Sequence, residues 1–489
     1  MRILIDSDYF FVRDIYYHSC GHVLNTIKIL ERFFGSALLN DFRIVISETI
    51  YYQLDEETLA RINPIVIFDK ELRDIFDNKF ISHNEVIEKF YYGDLTEKNL
   101  QDLKALYYQK LEGFEPDIVM QFEYRNKSYD TIFPNAFKLT FQGGLFKRGL
   151  GPETYIIDPC GSFKDSSLNI FSEEINNFQI TERENGIIEN FKRRINSLIK
   201  ENTSFVGSVL APYREKFDYL VLLPLQISNH FGFDTEIGFK TQYDYLEYVL
   251  DNVPENVGVI VTEHDHGRFL EEGTFGKGGF LQWFENKYKN LLYIKELRGG
   301  GGYSSPSIYF FPEVDAVINV SSSVALTAAL FDKKIISIGK TYNNCFKDTQ
   351  GLDNILEVLA NPIKNKNAFL YWFLTRYVFL EKQLKDKDFM YQYLCTSLEK
   401  YKNEGIKFTY FEEMNEINEA CDSIIKYIEN AFHIARQKEI EEIRLREEYQ
   451  KKISRRRKKY NLWGIYYENK HIIIGFLGLK FKFKNKLEE

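Results

Sequence analysis

The chain has few cysteines for its length, and they lie far apart. Five cysteines are spread over 489 residues, and no two of them form a Cys-x-x-Cys pair. An odd, dispersed set does not make a disulfide framework and lacks the ligand spacing of a structural zinc site. The sequence therefore argues against the small protein classes that are held together by disulfides or by zinc.

Basic residues are not in excess either. The 71 aspartates and glutamates outnumber the 63 lysines and arginines, which gives a formal net charge of −8 at pH 7. Nucleic-acid-binding domains usually carry a strong basic bias. We therefore expect no nucleic-acid partner.

Long apolar runs are missing as well. No stretch reaches the roughly 18 apolar residues that a membrane-spanning helix needs. The first residues, MRILIDSDYFF, lack the cationic and apolar regions of a signal peptide and instead predict a first β-strand. We expect a cytoplasmic protein whose only membrane contact would be peripheral, at the inner face of the plasma membrane.

What the chain does have is a large apolar content arranged in an α/β rhythm. Hydrophobic residues make up 44% of it, enough for a sizeable core. In the first half, strand patterns at 2–6, 42–47, 62–69 and 116–123 alternate with helical ones such as 22–35. This alternation predicts βαβ units and a parallel sheet.

The second half repeats the rhythm after a polar helical segment at 180–205. Strand patterns are expected at 219–226, 257–264, 291–296, 316–321 and 334–340, with helices at 241–253 and 323–331. Continuous runs of Val, Ile and Leu are typical of strands buried on both faces.

We therefore predict an α/β protein with two Rossmann-like, doubly wound domains that face a cleft. The first domain is expected at 1–205 and the second at 206–350. A helical segment at 351–440 would close the second domain, and a charged helix with a basic and aromatic tail would follow at 441–489.

The stretch VIVTEHDHGRF places two histidines and two carboxylates just past a predicted strand. Ligands bind at the carboxyl ends of strands in open α/β sheets. His264 and His266 suit zinc, but a zinc site needs three or four ligands and the sequence shows no further cluster. We favour Glu263 and His264 as ligand-binding residues, with His264 facing a phosphate. A structural histidine is the alternative, above all for His266.

A serine-rich turn is the second candidate. The segment VINVSSSVALTAALFDKKIISIG places Ser321, Ser322 and Ser323 between a predicted strand and a helix. Hydroxyls and free backbone N–H groups at such a turn suit a phosphate or a diphosphate. A plain helix cap is the alternative, because serine is a favoured capping residue.

Two further segments complete this candidate site. Gln226 ends the strand pattern LLPLQ, so its amide can hydrogen-bond a base or a sugar, although a turn without a ligand is the alternative. Tyr303 lies in RGGGGYSSPS, where four glycines allow a ligand to approach closely or the loop to move. A flexible surface loop is the alternative for that segment.

Taken in order, these motifs resemble those of a known family. A strand ending in Gln226, a strand end carrying His264 and the segment SSSVALTAAL…KKIISIGKTY are similar to those of the bacterial capsule polysaccharide glycosyltransferases of the Kdo-transferase type. The region LTFQGGLFKRGLGPETYIIDPCGSFKDSSL is similar to a further motif of that family. The resemblance implies a GT-B architecture, with an acceptor-side domain at 1–205 and a nucleotide-sugar-binding domain at 206–350.

The chain departs from the family pattern at four motif positions. Thr262 replaces a lysine, Asp265 a proline and Thr327 a glutamate. The family's acidic residue, a catalytic candidate, falls at Gln142 or the glycine after it, and neither is a carboxylate. The resemblance therefore implies His264 as the phosphate-facing histidine and leaves the donor open between CMP-Kdo and a UDP-sugar.

An inverting sugar transfer needs a base that takes the proton of the acceptor hydroxyl. The loop DSDYFFVRDIYYHSCGH follows the first strand and supplies Asp8, His18 and His22 as candidates, with local capping or packing as the alternative for both histidines. Its D-x-D pattern matches a metal–diphosphate motif, which we discount because it abuts the first strand. We expect no metal and no cofactor, since the nucleotide-sugar is a substrate.

Four residues are acceptor-side candidates: Glu123, Gln142, Lys147 and Arg148. Glu123 ends a strand pattern, and the two cations suit an acidic acceptor or a diphosphate. Exposed loop cations without a role are the alternative for Lys147 and Arg148.

The tail at 451–486 combines a basic cluster with aromatic residues. Clustered cations beside aromatics favour anionic lipid headgroups, which would suit a lipid-linked acceptor. A solvated charged helix followed by a hairpin packed on the body is the alternative.

The sequence thus predicts a metal-independent glycosyltransferase that extends a bacterial capsular or surface polysaccharide. Two rival functions stay open. One is a nucleotide-sugar epimerase on the same scaffold. The other is a non-catalytic GT-B scaffold subunit of a capsule-assembly complex, which the missing acidic residue favours.

Overall fold

The structure is a computed structural model that describes residues 1–6, 42–77, 83–122, 125–143, 154–226, 238–239, 241–264, 270, 279–295, 307–339, 341–380, 382–383, 386–459, 463–468, 471–476 and 479–484. The chain forms two compact units, Met1–Glu429 and Asn430–Glu489. The larger unit contains two sheets, and the smaller unit contains a third.

The first sheet has Rossmann-like strand order. Its strands are β1 (Ile3–Asp6), β2 (Phe42–Ser47), β3 (Ile65–Ile67), β4 (Ile118–Phe122), β5 (Phe137–Gly143), β6 (Tyr155–Asp158) and, from much later in the chain, β13 (Val378–Phe379). They lie in the order β3-β2-β1-β4-β5-β6-β13. The first five are parallel, and β6 runs antiparallel to β5. The order therefore reverses between β1 and β4.

The second sheet is parallel throughout and has the same kind of order. Its strands are β7 (Tyr219–Pro224), β8 (Val257–Thr262), β9 (Leu291–Leu292), β10 (Ala316–Asn319), β11 (Lys334–Ser337) and β12 (Thr349–Gln350). They lie in the order β12-β11-β10-β7-β8-β9. This is the order of a dinucleotide-binding sheet, and it reverses between β7 and β10.

Helices connect and follow the strands. Those before the second sheet are α1 (Glu48–Tyr51), α2 (Glu56–Ile62), α3 (Asp69–Ile75), α4 (His83–Tyr92), α5 (Glu97–Leu111), α6 (Tyr129–Ile132), α7 (Ser167–Ile170), α8 (Ser172–Asn176), α9 (Glu182–Asn202) and α10 (Ser204–Lys216). Those after it begins are α11 (Gln242–Asn252), α12 (Gly279–Lys287), α13 (Ser307–Phe310), α14 (Val324–Ala329), α15 (Ile355–Ala360), α16 (Asn367–Trp372), α17 (Lys387–Glu404) and α18 (Ile417–Lys459).

The central strands of the second sheet form because their side chains are buried on both faces. Every residue of β8, VGVIVT, is buried. Gly258 is fixed there by close packing, since a Cβ at this position would lie 2.8–2.9 Å from side-chain carbons of Leu220, Leu292 and Phe217. The sheet packs with α11 residues such as Leu246 into one apolar core.

Side-chain caps fix where the connecting helices begin. The Thr241 hydroxyl accepts the Asp244 N–H over 3.1 Å at the start of α11. At the start of α9, Thr181 and Glu184 each accept the other's backbone N–H. Such caps satisfy donors that a helix leaves unpaired at its first turn.

After the second sheet the chain returns to the first. Val378 of β13 pairs with Ile156 of β6. The Asn415 side chain holds this return by donating to the carbonyls of Leu374 and Val378, each over 2.8 Å. The 351–440 segment is mostly helical, as its pattern predicts, and it also adds this strand to the first sheet. The domain boundaries drawn from the sequence stay predictions.

The smaller unit contains the end of α18 and an antiparallel sheet. β14 (Trp463–Glu468), β15 (His471–Phe476) and β16 (Leu479–Lys484) pair in that order. The charged helix predicted at the start of 441–489 is present as the last part of α18, and a third strand extends the predicted hairpin. Over the described residues, no helix is both long and apolar enough to cross a membrane.

The predicted fold class is confirmed: the protein is α/β, with two Rossmann-like sheets, the first mainly and the second wholly parallel. Each strand pattern that the sequence offered for the second half coincides with a strand. Strands β5 and β6 were not predicted, because buried polar residues such as Lys138 and Thr140 interrupt the apolar run of β5. The helix predicted at 22–35 lies outside the described residues.

Candidate active site

The carboxyl ends of the strands of the second sheet bring several predicted residues to one edge. Gln226 follows β7, His264 follows β8, and Ser321 follows β10. Since β7 and β10 are neighbours and the strand order reverses between them, Gln226 and Ser321 lie at the switch point of the sheet. Ligands of open α/β sheets bind in the crevice at such a point.

Gln226 is held from two sides. Its backbone N–H donates to Gln242 Oε1 over 2.7 Å, and its Oε1 accepts the Ser321 hydroxyl over 3.1 Å. Gln242 is 1% exposed and Ser321 is 5% exposed, so both supports are part of the core. No described residue accepts a hydrogen bond from the Gln226 side-chain NH2 group, which leaves two oriented donors at the edge.

The turn that contains Ser321, Ser322 and Ser323 is stabilised by the buried side chain of Asn319. The Asn319 Oδ1 accepts the Ser322 N–H over 3.2 Å, and the Ser322 hydroxyl accepts the Val324 N–H over 3.4 Å. Ser323 is exposed and makes no side-chain capping bond. Among the three serines, one hydroxyl therefore orients Gln226, one caps α14 weakly, and that of Ser323 has no partner in the described part of the chain.

Residues after β11 brace the same turn from behind. The Val320 carbonyl accepts the Thr341 hydroxyl over 2.8 Å and the Asn343 side-chain NH2 over 2.9 Å. The Tyr342 hydroxyl donates to the Ser321 carbonyl over 3.0 Å. Burial raises the pKa of the Tyr342 phenol, so it stays a neutral donor. The backbone of the turn is therefore rigid before any ligand arrives.

At the end of β8, the polar residues bond to each other. The Thr262 and Ser307 hydroxyls lie 2.8 Å apart and are buried. Glu263 accepts the Leu270 N–H over 2.9 Å on one oxygen and the Tyr293 hydroxyl over 2.7 Å on the other. Both oxygens of Glu263 thus brace the strand end, and its assignment as a donor ligand stays a prediction.

Thr262 stands where the family that the sequence resembles has a lysine. Its side chain is 6% exposed and lies inside β8. A lysine at this position would have to bury its long side chain and ammonium group in the core, which is costly unless the charge is paired. His264, two residues on, is half-buried at the sheet edge.

The corresponding edge of the first sheet is also polar and buried. Asp6 of β1 and Gln121 of β4 are register partners at its switch point. Asp6 Oδ2 accepts the Tyr129 hydroxyl over 2.8 Å, and the Tyr129 and Tyr107 hydroxyls lie 2.7 Å apart. Gln121 Oε1 accepts the Asn126 N–H. This series of hydrogen bonds fixes the Asp6 side chain directly before the segment that contains the predicted base.

Gln142 stands where the family that the sequence resembles has an acidic residue, and its side-chain amide makes a structural hydrogen bond. Gln142, on β5, donates from Nε2 to the Gly161 carbonyl over 3.3 Å. Gly161 belongs to a turn that Asp158 organises by accepting the N–H groups of Cys160 and Gly161 over 2.7 and 3.1 Å. The Ser167 hydroxyl donates to the same oxygen over 2.7 Å. Gln142 therefore helps to hold this turn.

Several predicted site residues lie outside the described part of the chain. They are Asp8, His18, His22, Glu123, Lys147, Arg148, His266 and Tyr303. Among the residues that the structure does describe, no group of three or more His, Cys, Asp or Glu side chains could hold a metal ion. The metal-free mechanism stays a prediction.

Comparisons with known proteins stop at the level of solved structures. No protein-family model and no curated protein sequence matches the chain. One similar structure is Thermosulfurimonas dismutans KpsC, a beta Kdo 2,7 transferase, with 12% identity, 78% of this chain and 92% of that chain covered, and a TM-score of 0.40. Another is Methanocaldococcus jannaschii UDP-GlcNAc 2-epimerase, with 12% identity, coverages of 75% and 97%, and a TM-score of 0.28.

A third is the wall teichoic acid polymerase TagF, with 10% identity, 90% of each chain covered and a TM-score of 0.21. Similarities this low do not decide what this chain does. Its Rossmann-like fold is established by its own strand orders.

Proposed function

We propose that this chain is a GT-B-type glycosyltransferase that moves a sugar from a nucleotide-sugar to a hydroxyl of a bacterial capsular or surface polysaccharide. The observation that carries the proposal is the pairing of Gln226 with Ser321 at the switch point of the second sheet. It combines two oriented amide donors, serine hydroxyls and a braced backbone turn, which are groups that suit a nucleotide diphosphate or monophosphate.

A sugar transfer needs groups that bind the nucleotide and groups that stabilise its charge as it leaves, both at this edge, and a base from the first domain. As the acceptor oxygen attacks the anomeric carbon, a base takes its proton and the bond from the anomeric carbon to the phosphate oxygen breaks. The nucleotide leaves with the bonding electrons, and His264 with the hydroxyls of Ser322 and Ser323 would stabilise its charge. Asp8, His18 or His22 would be the base. No metal is required by this scheme.

The proposed donor and acceptor come from the sequence resemblance. CMP-Kdo or a UDP-sugar is the proposed donor, and a growing polysaccharide, which a lipid anchor could carry, is the proposed acceptor. Lys147 and Arg148 would neutralise an acidic acceptor, and Glu123 and Gln142 are the further acceptor-side candidates. The enzyme would work in the cytoplasm, at the inner face of the plasma membrane.

The experiment is a thermal-unfolding panel with CMP, UDP, GDP and their sugars. A ligand at 100 times its Kd should add roughly 2.7 kcal/mol to the free energy of unfolding. His264→Ala should lose most of that gain. The matched control is His433→Ala, an exposed histidine of α18 whose one hydrogen bond within the described part of the chain is to Gln437, four residues on. It should keep the full gain.

The outcomes separate the candidates. A nucleotide that stabilises the wild type but not His264→Ala supports the transferase, and turnover of the nucleotide-sugar only with added saccharide supports it further. Turnover of the donor alone, with inversion at a sugar carbon, would assign the epimerase instead. No stabilisation by any nucleotide at millimolar concentration would contradict both.

One observation favours a second candidate, a non-catalytic scaffold subunit of a capsule-assembly complex. Gln142 stands where the transferases that the sequence resembles have an acidic residue, and its side-chain amide donates to the Gly161 carbonyl. A scaffold would leave every nucleotide-sugar unchanged. Gln142→Glu, which restores the carboxylate, would not create activity in a scaffold, whereas it would alter the rate of an active transferase.

A further inference from the structure

A pocket of about 250 Å³ lies between α17 and the segment 410–414. One wall is a face of α17, because its lining residues recur at the spacing of helical turns. On this face lie Phe389, Tyr393, Ser397 and Lys400. The segment 410–414 and Arg376 form the opposite wall. None of these residues belongs to the candidate active site.

Hydroxyl groups form a connected cluster in this pocket. The Tyr393 and Tyr410 hydroxyls lie 3.3 Å apart, and the buried Ser397 side chain is hydrogen-bonded to both. Burial raises the pKa of both phenols above its usual value, so both stay protonated. The pocket therefore presents neutral O–H groups, each of which can donate or accept a hydrogen bond, between aromatic rings.

Four charged side chains, two of each sign, line the same pocket. Lys400 of α17 and Glu412 of the opposite wall form an ion pair over 2.6 Å. The Arg376 guanidinium donates to the Glu413 carboxylate over 3.3 Å and to the Phe411 carbonyl over 3.2 Å. Both of the Arg376 distances are long for such bonds, so a ligand oxygen can compete with either acceptor.

The balance of charge argues against a simple ion as the ligand. An anion would be repelled by the two carboxylates, and a cation would be repelled by Arg376 and Lys400. A molecule with many hydroxyl groups can instead donate to the carboxylates and accept from the cations and the phenols. A sugar ring has this chemistry, and its C–H faces can pack on aromatic rings such as that of Phe389.

The size of the pocket also fits a sugar. Sites for drug-sized ligands measure roughly 300–1,000 Å³, and this pocket, at about 250 Å³, is smaller. It therefore suits a single ring better than a whole nucleotide-sugar.

We infer that this pocket is a saccharide subsite, which holds one neutral sugar of the acceptor chain with residues other than those proposed for the transfer. The pocket lies at an edge of the first sheet, since the Tyr393 ring packs on Phe379 of the edge strand β13 with 4.8 Å between ring centroids. That sheet forms the domain in which the resemblance places the acceptor. A second contact of this kind would make long acceptors bind more tightly than short ones.

The inference rests on the proposed function for the identity of the bound chain. Binding of a sugar in the pocket does not require the transfer reaction, so it is measured without a donor. Saturation-transfer NMR on the full-length protein detects binding of the methyl glycosides of glucose, galactose, mannose and N-acetylglucosamine. We expect at least one of them to bind the wild type with millimolar affinity.

The test fills the pocket with a large side chain. Thr396 is exposed and lines the pocket, whereas Glu399 is exposed on the same helix and is not among the lining residues. Thr396→Trp should therefore abolish sugar binding. Glu399→Trp is the matched control and should change the affinity by less than about twofold.

The carboxylate is tested in the same assay. Glu413→Gln keeps the size of the side chain and removes its charge. It should weaken sugar binding roughly tenfold, the value of one hydrogen bond to a charged group. The control is Glu404→Gln, an exposed carboxylate at the end of α17 that does not line the pocket. Equal effects within either pair of variants would overturn the inference.

Other ligands give different results. If uridine or inorganic phosphate binds, Thr396→Trp blocks it and no methyl glycoside binds, the pocket takes a nucleoside or an anion and the inference is wrong. Absence of binding by every methyl glycoside would overturn it as well.

The nucleotide-induced thermal shift is recorded for the same proteins, and Thr396→Trp should keep it. Loss of sugar binding with an intact thermal shift would count against this inference alone. Sugar binding by a wild type that no nucleotide stabilises would contradict the proposed donor site and support the pocket as a sugar site.

Discussion

Ser321 and Gln226 meet across the point where the strand order of the second sheet reverses: the serine hydroxyl donates to the glutamine side-chain oxygen over 3.1 Å. The two residues are 95 positions apart in sequence. Their contact exists because β7 and β10 are neighbours in the sheet, and it restrains the rotation of the Gln226 side-chain amide. In the proposed site, the hydroxyl would act on a ligand through Gln226.

Removing that hydroxyl should weaken nucleotide binding more than it weakens the fold. Ser321→Ala frees the Gln226 amide to rotate, and we expect the Kd for the bound nucleotide to rise about five- to tenfold, the value of one hydrogen bond. Ser166→Ala is the control, because this buried serine also donates one bond, over 2.7 Å to the Phe163 carbonyl. It should leave the Kd unchanged. Calorimetric titration measures both, and equal affinities would remove Gln226 from the site.

Glu263 should prove to be a structural brace. Both its oxygens accept protein hydrogen bonds, and Glu263→Gln keeps only one acceptor. We expect the free energy of unfolding to fall by about 1–2 kcal/mol, since the group is partly exposed. Tyr293→Phe should reproduce part of this loss, and the two changes together should cost less than their sum. Loss of nucleotide affinity without loss of stability would instead make Glu263 a ligand-binding residue.

The sequence predicts the parts of this site that depend on local pattern, and it misses those that depend on distant partners. Gln226 and Ser321 stand out because each ends a continuous run of Val, Ile and Leu, which identifies a buried strand. Nothing local identifies Gln242 or Asn343 as their supports, because both act through bonds formed only when separate elements pack. The one weak local signal for Gln242 as a support is that it directly follows the helix cap Thr241.

The first half shows the same limit more strongly. Asp158 bonds to the Tyr377 hydroxyl, and the two residues are 219 positions apart. Strand patterns reveal β1, β2 and β4. The chain returns to the first sheet as β13, which is only two residues long and therefore too short to show a strand periodicity. Short strands are specified by what they pair with, and that information is not local.

Buried thiols should resist alkylation in the native state. Burial raises the pKa of Cys160 and of Cys421 to about 12. At pH 8 only about one thiol in ten thousand would then be ionised, and the thiolate is the reactive form. Among the four cysteines that the structure describes, Cys395 is half-buried and should react with iodoacetamide first. Mass spectrometry of timed samples measures the order, and denaturant should make all of these thiols react alike.

The same shift predicts an alkaline limit to stability. A thiol whose folded pKa lies above its ordinary value of about 9 favours the folded state while it is neutral. That contribution is complete below pH 9 and is lost as the pH rises toward 12. Cys160→Ala should therefore flatten the decline of unfolding free energy above pH 9. An unchanged decline would show that Cys160 is not buried in solution.

Asp158 should be the most sensitive carboxylate of the first half. It is fully buried and accepts five hydrogen bonds. Asp158→Asn turns an NH2 group toward those donors, so we expect a loss of about 3–5 kcal/mol of unfolding free energy by chemical denaturation. Asp165→Asn is the control in the same turn. Its ion pair with Lys127, at 3.0 Å and partly exposed, is worth under about 1 kcal/mol. If the two variants are equally mild, the turn is held by its backbone, and the Asp158 side chain is dispensable.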